Sequence, residues 1–282
     1  MNNYMQFPGG RQKALTLSYD DGVQQDARLI ELLDRYGIKC TFNLNGDALQ
    51  EEERSYTEGQ VHRRMARREA LEVYLKAIDN GHEVATHGYT HPFLDKLPSE
   101  RVVYEIAEDR KCLEDAFGQI VKGHAYPYGT TADHVVDALR SCGILYARTT
   151  VATKKFDIPT DWLRMSTTCH HRVPELMELA DRFINGETKY KHPQLFFLWG
   201  HSYEFEANDN WEVIERFAEA VGGRDDVWYA SNMQVYEYVR AYNSLEFSID
   251  GRAVRNPSAL TVWFSTGGVD VKVEPGETVK IR

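Results

Sequence analysis

Up to about residue 243 the chain alternates short β-branched and aromatic runs with longer stretches whose apolar residues recur every three or four positions. "KALTLSY" (13–19) reads as a strand. In "QQDARLIELLDRYG", Leu29, Leu32, Leu33 and Tyr36 fall on one helical stripe that Gly37 ends. The pattern then predicts a strand over 38–45, a charged helical stretch over about 58–80, and a strand over 82–87. A helix opened by Ser99 follows, then "IVKGHAYPYG", the helix "TADHVVDALRSCG" and the strand "ILYARTT". "RVPELMELADRFI" predicts a helix, "QLFFLWGHSY" a buried strand, and "WEVIERFAEAVGG" and "MQVYEYVRAYN" two last helices. Strands alternating with helices through right-handed crossovers predict an α/β fold built on a parallel sheet or barrel, with a doubly wound open sheet as the competing architecture.

Near Asn243 the rhythm changes to short alternating strands divided by "DG", "NP", "GG" and "PG" turns. Residues 1–243 are therefore expected to form the main domain and 244–282 a small antiparallel β appendage. Capping the barrel, a subunit contact and an extension of the substrate cleft are all open to that appendage.

A length of 282 residues with 42% hydrophobic and 12% aromatic content suits one large globular core. A formal net charge of −10 argues against nucleic acid, whose binding is driven by cationic side chains. The basic run "HRRMARREA" (62–70) reads as a solvated helix face. Cys40, Cys112, Cys142 and Cys169 lack CxxC spacing and read as free thiols. The first residues contain no apolar leader core, and no run approaches the ~18 apolar residues of a membrane span, so a cytoplasmic chain without a membrane partner is expected.

Candidate chemistry collects where strands end, the place parallel α/β folds reserve for function. "LSYDDG" brings Asp20 and Asp21 to such an end, and both can address one site only if the chain is already turning at Gly22. One carboxylate could then hold a cation while the other handles protons. In "HEVATHGYTHP", His87 and His91 would lie roughly 13 Å apart if extended, too far to share an ion, so a tight loop is expected there. One carboxylate with these two imidazoles gives an open metal site of the catalytic kind. Further strand ends carry "AYPYG" (125–129) and His201 in "LWGHSYE", and between them "DIPTDWLRM" holds Asp161, Trp162 and Arg164.

The order "LSYDDG", "GHEVATHGYTHP", "AYPYG", "TDWLR", "LWGH" resembles the polysaccharide deacetylase superfamily, the NodB-homology or carbohydrate esterase family 4 group, over residues 13–240. The resemblance implies a distorted (β/α) barrel and hydrolysis of an N-acetyl or O-acetyl group, usually on a saccharide, at one divalent metal. It makes Asp20 the base, Asp21, His87 and His91 the metal ligands, and His201 the general acid oriented by Asp161. Tyr128 would offer a backbone N–H to the oxyanion and Trp162 would line the acetyl pocket. Zn²⁺ suits such ligands, and Co²⁺, Mn²⁺, Ni²⁺ and Fe²⁺ are also compatible with them. Two departures stand out: Ala125 occupies the place of an arginine that holds the base in many members, and Gly200 that of a leucine. Arg164 is the candidate replacement for the missing arginine. A non-sugar amide hydrolase of allantoinase type, a silent carbohydrate-binding protein and a homo-oligomer all remain compatible with the sequence.

Overall fold

A computed structural model describes residues 3–186 and 192–281; the outermost residues of the two expected segments, 1–2 and 282, lie outside it. In chain order the strands are β1 (Asn3–Gln6), β2 (Lys13–Asp20), β3 (Cys40–Leu44), β4 (Glu83–Thr86), β5 (Gly123–Ala125), β6 (Tyr146–Ala152), β7 (Met165–Thr167), β8 (Cys169–His170), β9 (Gln194–Gly200), β10 (Val227–Tyr229), β11 (Glu246–Phe247), β12 (Ala253–Arg255), β13 (Val262–Thr266), β14 (Val269–Val273) and β15 (Thr278–Lys280). The helices are α1 (Asp26–Arg35), α2 (Arg67–Asp79), α3 (Ser99–Phe117), α4 (Asp133–Ser141), α5 (Leu176–Asn185), α6 (Tyr203–Ala207), α7 (Glu212–Val221) and α8 (Asn232–Asn243).

The main sheet is parallel and runs β7-β6-β5-β4-β3-β2-β9-β8, with β10 on the free lower edge of β2. Its two end strands are consecutive in sequence, joined by Thr168 alone. The Thr168 N–H donates to Phe197 O at 2.9 Å, and its Oγ1 accepts from Phe197 N–H at 3.0 Å. That stitch turns the open path into a distorted barrel. β2, at the centre, is buried at every residue from Ala14 to Asp20, as a strand covered on both faces requires. The outer layer forms because the helical stripes need the same cover: Leu29 and Leu33 of α1, Phe183 of α5 and Phe217 of α7 share one core with Leu17 and Phe196. Val102 and Ile106 of α3 pack with Val135 and Leu139 of α4 in a second.

Two expectations change. The helix predicted over about 58–80 begins only at Arg67. Main-chain groups of residues 63–65 bond instead to those of 22–24 (Gln24 N–H to Arg63 O, 2.9 Å; Met65 N–H to Gly22 O, 2.8 Å), so no helical ladder can form there. The first half of the basic run thus lies beside the end of β2, while Arg67–Ala70 open α2 with Arg68 exposed, as a solvated helix face requires. The C-terminal strands form two three-stranded antiparallel sheets, β11-β12-β15 and β1-β13-β14. The second takes β1 from the opposite end of the chain, pairing Asn3 with Thr266 and Gln6 with Trp263.

A candidate active site at the carboxyl ends of the strands

β2 stops at Asp20 because the next two residues turn left-handed, Asp21 with φ 80° and Gly22 with φ 64°. That turn lets neighbouring carboxylates face one cavity of about 540 Å³, lined also by His62, Arg64, His87, His91, Tyr126, Tyr128, Trp199, His201 and Tyr203.

Asp20 is almost fully buried. Arg148 Nη2 donates to its Oδ1 and Oδ2 at 2.6 and 2.5 Å, and Asn43 Nδ2 to Oδ1 at 2.8 Å. Burial pushes this carboxyl up, but Arg148, with His87 and His201 behind it, outweighs burial and holds it below the usual range. Arg148 is itself buried and lies over the Trp199 ring, 4.6 Å from its centroid. In the sheet it is the registered partner of Ala125, so the arginine missing from the "AYPYG" strand stands one strand over.

Asp21 faces the other way. Its Oδ2 pairs with His62 Nε2 at 3.0 Å, while Oδ1 is buried without a hydrogen-bond partner, 3.7 Å from His87 Nε2 and 3.6 Å from His91 Nε2. The loop after β4 that brings the two imidazoles together is held from outside. Asp109 Oδ2 accepts the His87 N–H at 2.8 Å, Glu105 Oε2 accepts the Thr90 N–H at 2.9 Å, and Asn45 Nδ2 donates to the carbonyls of His87 and Gly88 at 2.8 and 2.6 Å. Gly88 and His91 adopt positive φ, which folds the His87–His91 segment tightly enough to set the rings 4.7 Å apart.

His87 Nδ1 lies 2.8 Å from Ala125 O, and a carbonyl can only accept, so the ring proton sits on Nδ1 and the Nε2 lone pair points at the cavity. Burial lowers the pKa of His87, and burial with His87 nearby lowers that of His91 to about 4, so both rings are neutral at pH 7. An orphaned carboxylate oxygen beside two neutral imidazoles fits a divalent cation, and Asp21, His87 and His91 are the residues that would hold it.

His201 Nε2 lies 3.8 Å from Asp20 Oδ2, across the cavity from the metal-site residues. Its Nδ1 is buried and faces Glu204 Oε1 at 3.6 Å. Tyr128 lines the cavity in a left-handed conformation, with its ring stacked on Phe93 at 3.8 Å.

Three sequence expectations fail here. Arg164 does not reach Asp20; its guanidinium goes to Asp133 at 2.5 Å and Asp161 at 3.5 Å, while the buried Arg148 takes the tethering place. Asp161 does not orient His201. Its Oδ1 caps the 3-10 turn at Trp162–Arg164 by accepting the Leu163 N–H at 3.1 Å, and Glu204 is the carboxylate beside His201 Nδ1. Trp162 packs edge-on against Tyr236 at 5.1 Å and is absent from the cavity wall, where Trp199 stands instead.

The structure also gives new places to His62 and Arg64, expected on a helix face, and to Glu204, expected with Tyr203 and Phe205 either to shape a subsite or to be ordinary loop residues, and it brings in Arg148 and the pair His170–His171. The one written signal was "CHHRV", adjacent histidines at a strand end. Gly200 becomes intelligible through this pair, because a Cβ there would sit 2.0 Å from His171 Nδ1. Gly200→Ala is expected to push the imidazole out and lower stability by about 1–3 kcal/mol, read as a shifted urea midpoint at unchanged slope.

Comparison with known proteins places this geometry. The polysaccharide deacetylase family matches residues 8–147, which include Asp20, Asp21, His87 and His91 and stop just short of Arg148. Chitin deacetylase 1 of Cryptococcus neoformans is 30% identical over 42% of this chain and 22% of its own. The chain spans less than a third of the length of the first curated relatives it matches. A solved structure assigned to the polysaccharide deacetylases of Mycobacterium smegmatis superposes with a TM-score of 0.62 at 18% identity, covering 85% of this chain and 94% of that one. A mutant carbohydrate esterase family 4 pseudoenzyme with restored activity, whose parent comes from Bacillus anthracis, superposes at 0.50 and 22% identity, over 83% of this chain and 70% of that one. Matched sequence and shared barrel agree: the chain belongs to the polysaccharide deacetylase family.

Proposed function

We propose that the protein is a metal-dependent hydrolase that removes acetyl groups from a saccharide. The observation that carries this reading is the division between the two adjacent carboxylates. Asp21 leaves a buried oxygen without a hydrogen-bond partner between His87 Nε2 and His91 Nε2, whereas Asp20, whose Oδ2 is 3.9 Å from His87 Nε2, has its oxygens engaged by a cation and an amide.

Asp21, His87 and His91 would hold a divalent ion, and such an ion would supply Lewis acidity toward the amide carbonyl and lower the pKa of an attacking water. Asp20, kept ionised by Arg148, takes the proton of that water. His201 faces Asp20 over 3.8 Å and gives a proton to the departing amine, which leaves poorly as an anion. Its ionised form is favoured because Glu204, Asp20 and Asp21 outweigh the effect of burial and raise its pKa. The resemblance assigns the Tyr128 N–H to the developing oxyanion, and Tyr128 does line the cavity. Trp199, Tyr126 and Tyr203 supply the apolar wall against which a sugar ring can lie.

The test is acetate release from chitooligosaccharides and N-acetylglucosamine, with allantoin ring opening assayed in parallel. Release that chelation abolishes and Zn²⁺ or Co²⁺ restores is the expected result. Ring opening without acetate would move the substrate to non-sugar amides, and saccharide binding without turnover would make the chain a silent relative.

A further inference from the structure

The described residues contain a second cluster of metal-ligand composition, His170, His171 and Glu204, whose nitrogen and oxygen atoms lie within 4.8 Å of one another. It adjoins the cavity through His201. Glu204 Oε2 faces His171 Nε2 at 3.0 Å and His170 Nε2 at 3.4 Å, while Oε1 accepts from Arg172 Nη1 at 3.3 Å and faces His201 Nδ1 at 3.6 Å. By atoms alone the two clusters look alike. Their protons tell them apart.

At the first, a carbonyl keeps the proton of His87 on Nδ1 and frees Nε2 for a cation. At the second, His170 Nδ1 accepts the Arg172 backbone N–H at 3.1 Å, so that nitrogen holds the lone pair and the ring proton sits on Nε2, toward Glu204. A cation on His170 Nε2 would need the opposite tautomer, which sets an Nδ1–H against the Arg172 N–H. The Tyr19 hydroxyl, 3.2 Å from His171 Nδ1, can donate to it in the same sense and leave the His171 proton on Nε2.

We infer that Glu204 is the positioning residue of His201, and that the proton His170 carries on Nε2 keeps the His170–His171–Glu204 cluster from serving as a second metal site, although Glu204 Oε2 is buried without a hydrogen-bond partner. The inference rests on the reading of His201 as general acid. Glu204 stands three residues after His201, on the turn of α6 that begins at Tyr203, so the two side chains share a side of the chain. With Nδ1–H turned to Glu204, His201 presents Nε2 to Asp20 and the cavity. The charged and titratable groups facing His201 are Asp20, Asp21 and Glu204, the Tyr203 ring at 5.5 Å, the His170 ring at 6.0 Å and, behind Glu204, His171. Burial works against charge on Glu204, yet His171 and His201 beside it hold its carboxyl below the ordinary range, so it presents a standing anion to the imidazole. This takes over the role that the resemblance gave to Asp161.

Glu204→Gln keeps the shape and removes the anion. Its kcat for acetate release is expected to fall about 10²-fold or more with KM within about twofold. The alkaline limb of its pH profile should move to lower pH, because an acid that loses its anion gives up its proton sooner. Glu204→Asp should recover part of the loss. Nitrogen-15 NMR of the histidines decides the matter even if no substrate is turned over: the native protein should show His170 protonated on Nε2, and His201 should titrate at lower pH in Glu204→Gln than in the parent. An unmoved His201 titration, His170 protonated on Nδ1, or a second equivalent of bound Zn²⁺ lost from Glu204→Gln would overturn the inference.

Discussion

Asp20→Asn is expected to bind one divalent ion as the parent does while acetate release falls about 10²–10⁴-fold, as it should when a general base is removed without disturbing ligands. The asparagine side chain can still accept from Arg148 and Asn43, which hold the aspartate now, so the end of β2 should keep its shape. What it lacks is a basic oxygen. His87→Ala should lose ion and activity together, because His87 Nε2 faces the orphaned Asp21 oxygen. Metal content and acetate release measured on both variants check the assignment. Equal metal loss in the two would exchange the roles of Asp20 and Asp21.

Arg148→Met is expected to cost about 3–5 kcal/mol, because it strands a buried carboxylate without its cation. In the parent, the depressed pKa of Asp20 means that the pair's stabilisation is complete above the ordinary carboxylate range and is lost as pH falls through the lower folded value. In the variant burial is opposed only by His87 and His201, so the pKa of Asp20 rises from its depressed value and the stabilisation gained as pH rises shrinks. The difference between parent and variant should therefore be large at neutral pH and shrink in acid. Denaturation of Arg148→Met, Asp20→Asn and the double variant at two pH values measures it. The double variant should be more stable at neutral pH than Arg148→Met; simple additivity of the two changes would mean that the pair is not coupled.

Features whose cause is local were legible in the sequence. The helical stripe of Leu29, Leu32 and Leu33, the buried run of β2 and the strand-end carboxylates all declare themselves within a few residues. His87 and His91 could be expected to meet because an extended chain would hold them too far apart. The parts that escaped are long-range. Arg148 meets Asp20 across 128 positions, and an arginine inside "YARTT" carries no local sign that it is buried. His62 sits in a basic run whose helical spacing is overruled by main-chain bonds to residues 22–24. Glu204 is the exception: it lies only three residues after His201, and the turn opening α6 is what brings the two side chains together. β1, β7, β8 and β10 span two to four residues each, too short for any periodicity to show.

Among the described residues, left-handed backbone outside glycine occurs at Asp21, His91, Tyr128, Lys154 and Asp209, and the first three border one cavity. Each such conformation is disfavoured by on the order of 1 kcal/mol, and glycine would relax all three. At Asp21 and His91, however, glycine would take away the very atoms that converge there. Selection for robustness alone would thus erode this corner of the protein first, and its persistence sets a ceiling on how stable the chain can become while the site stays intact.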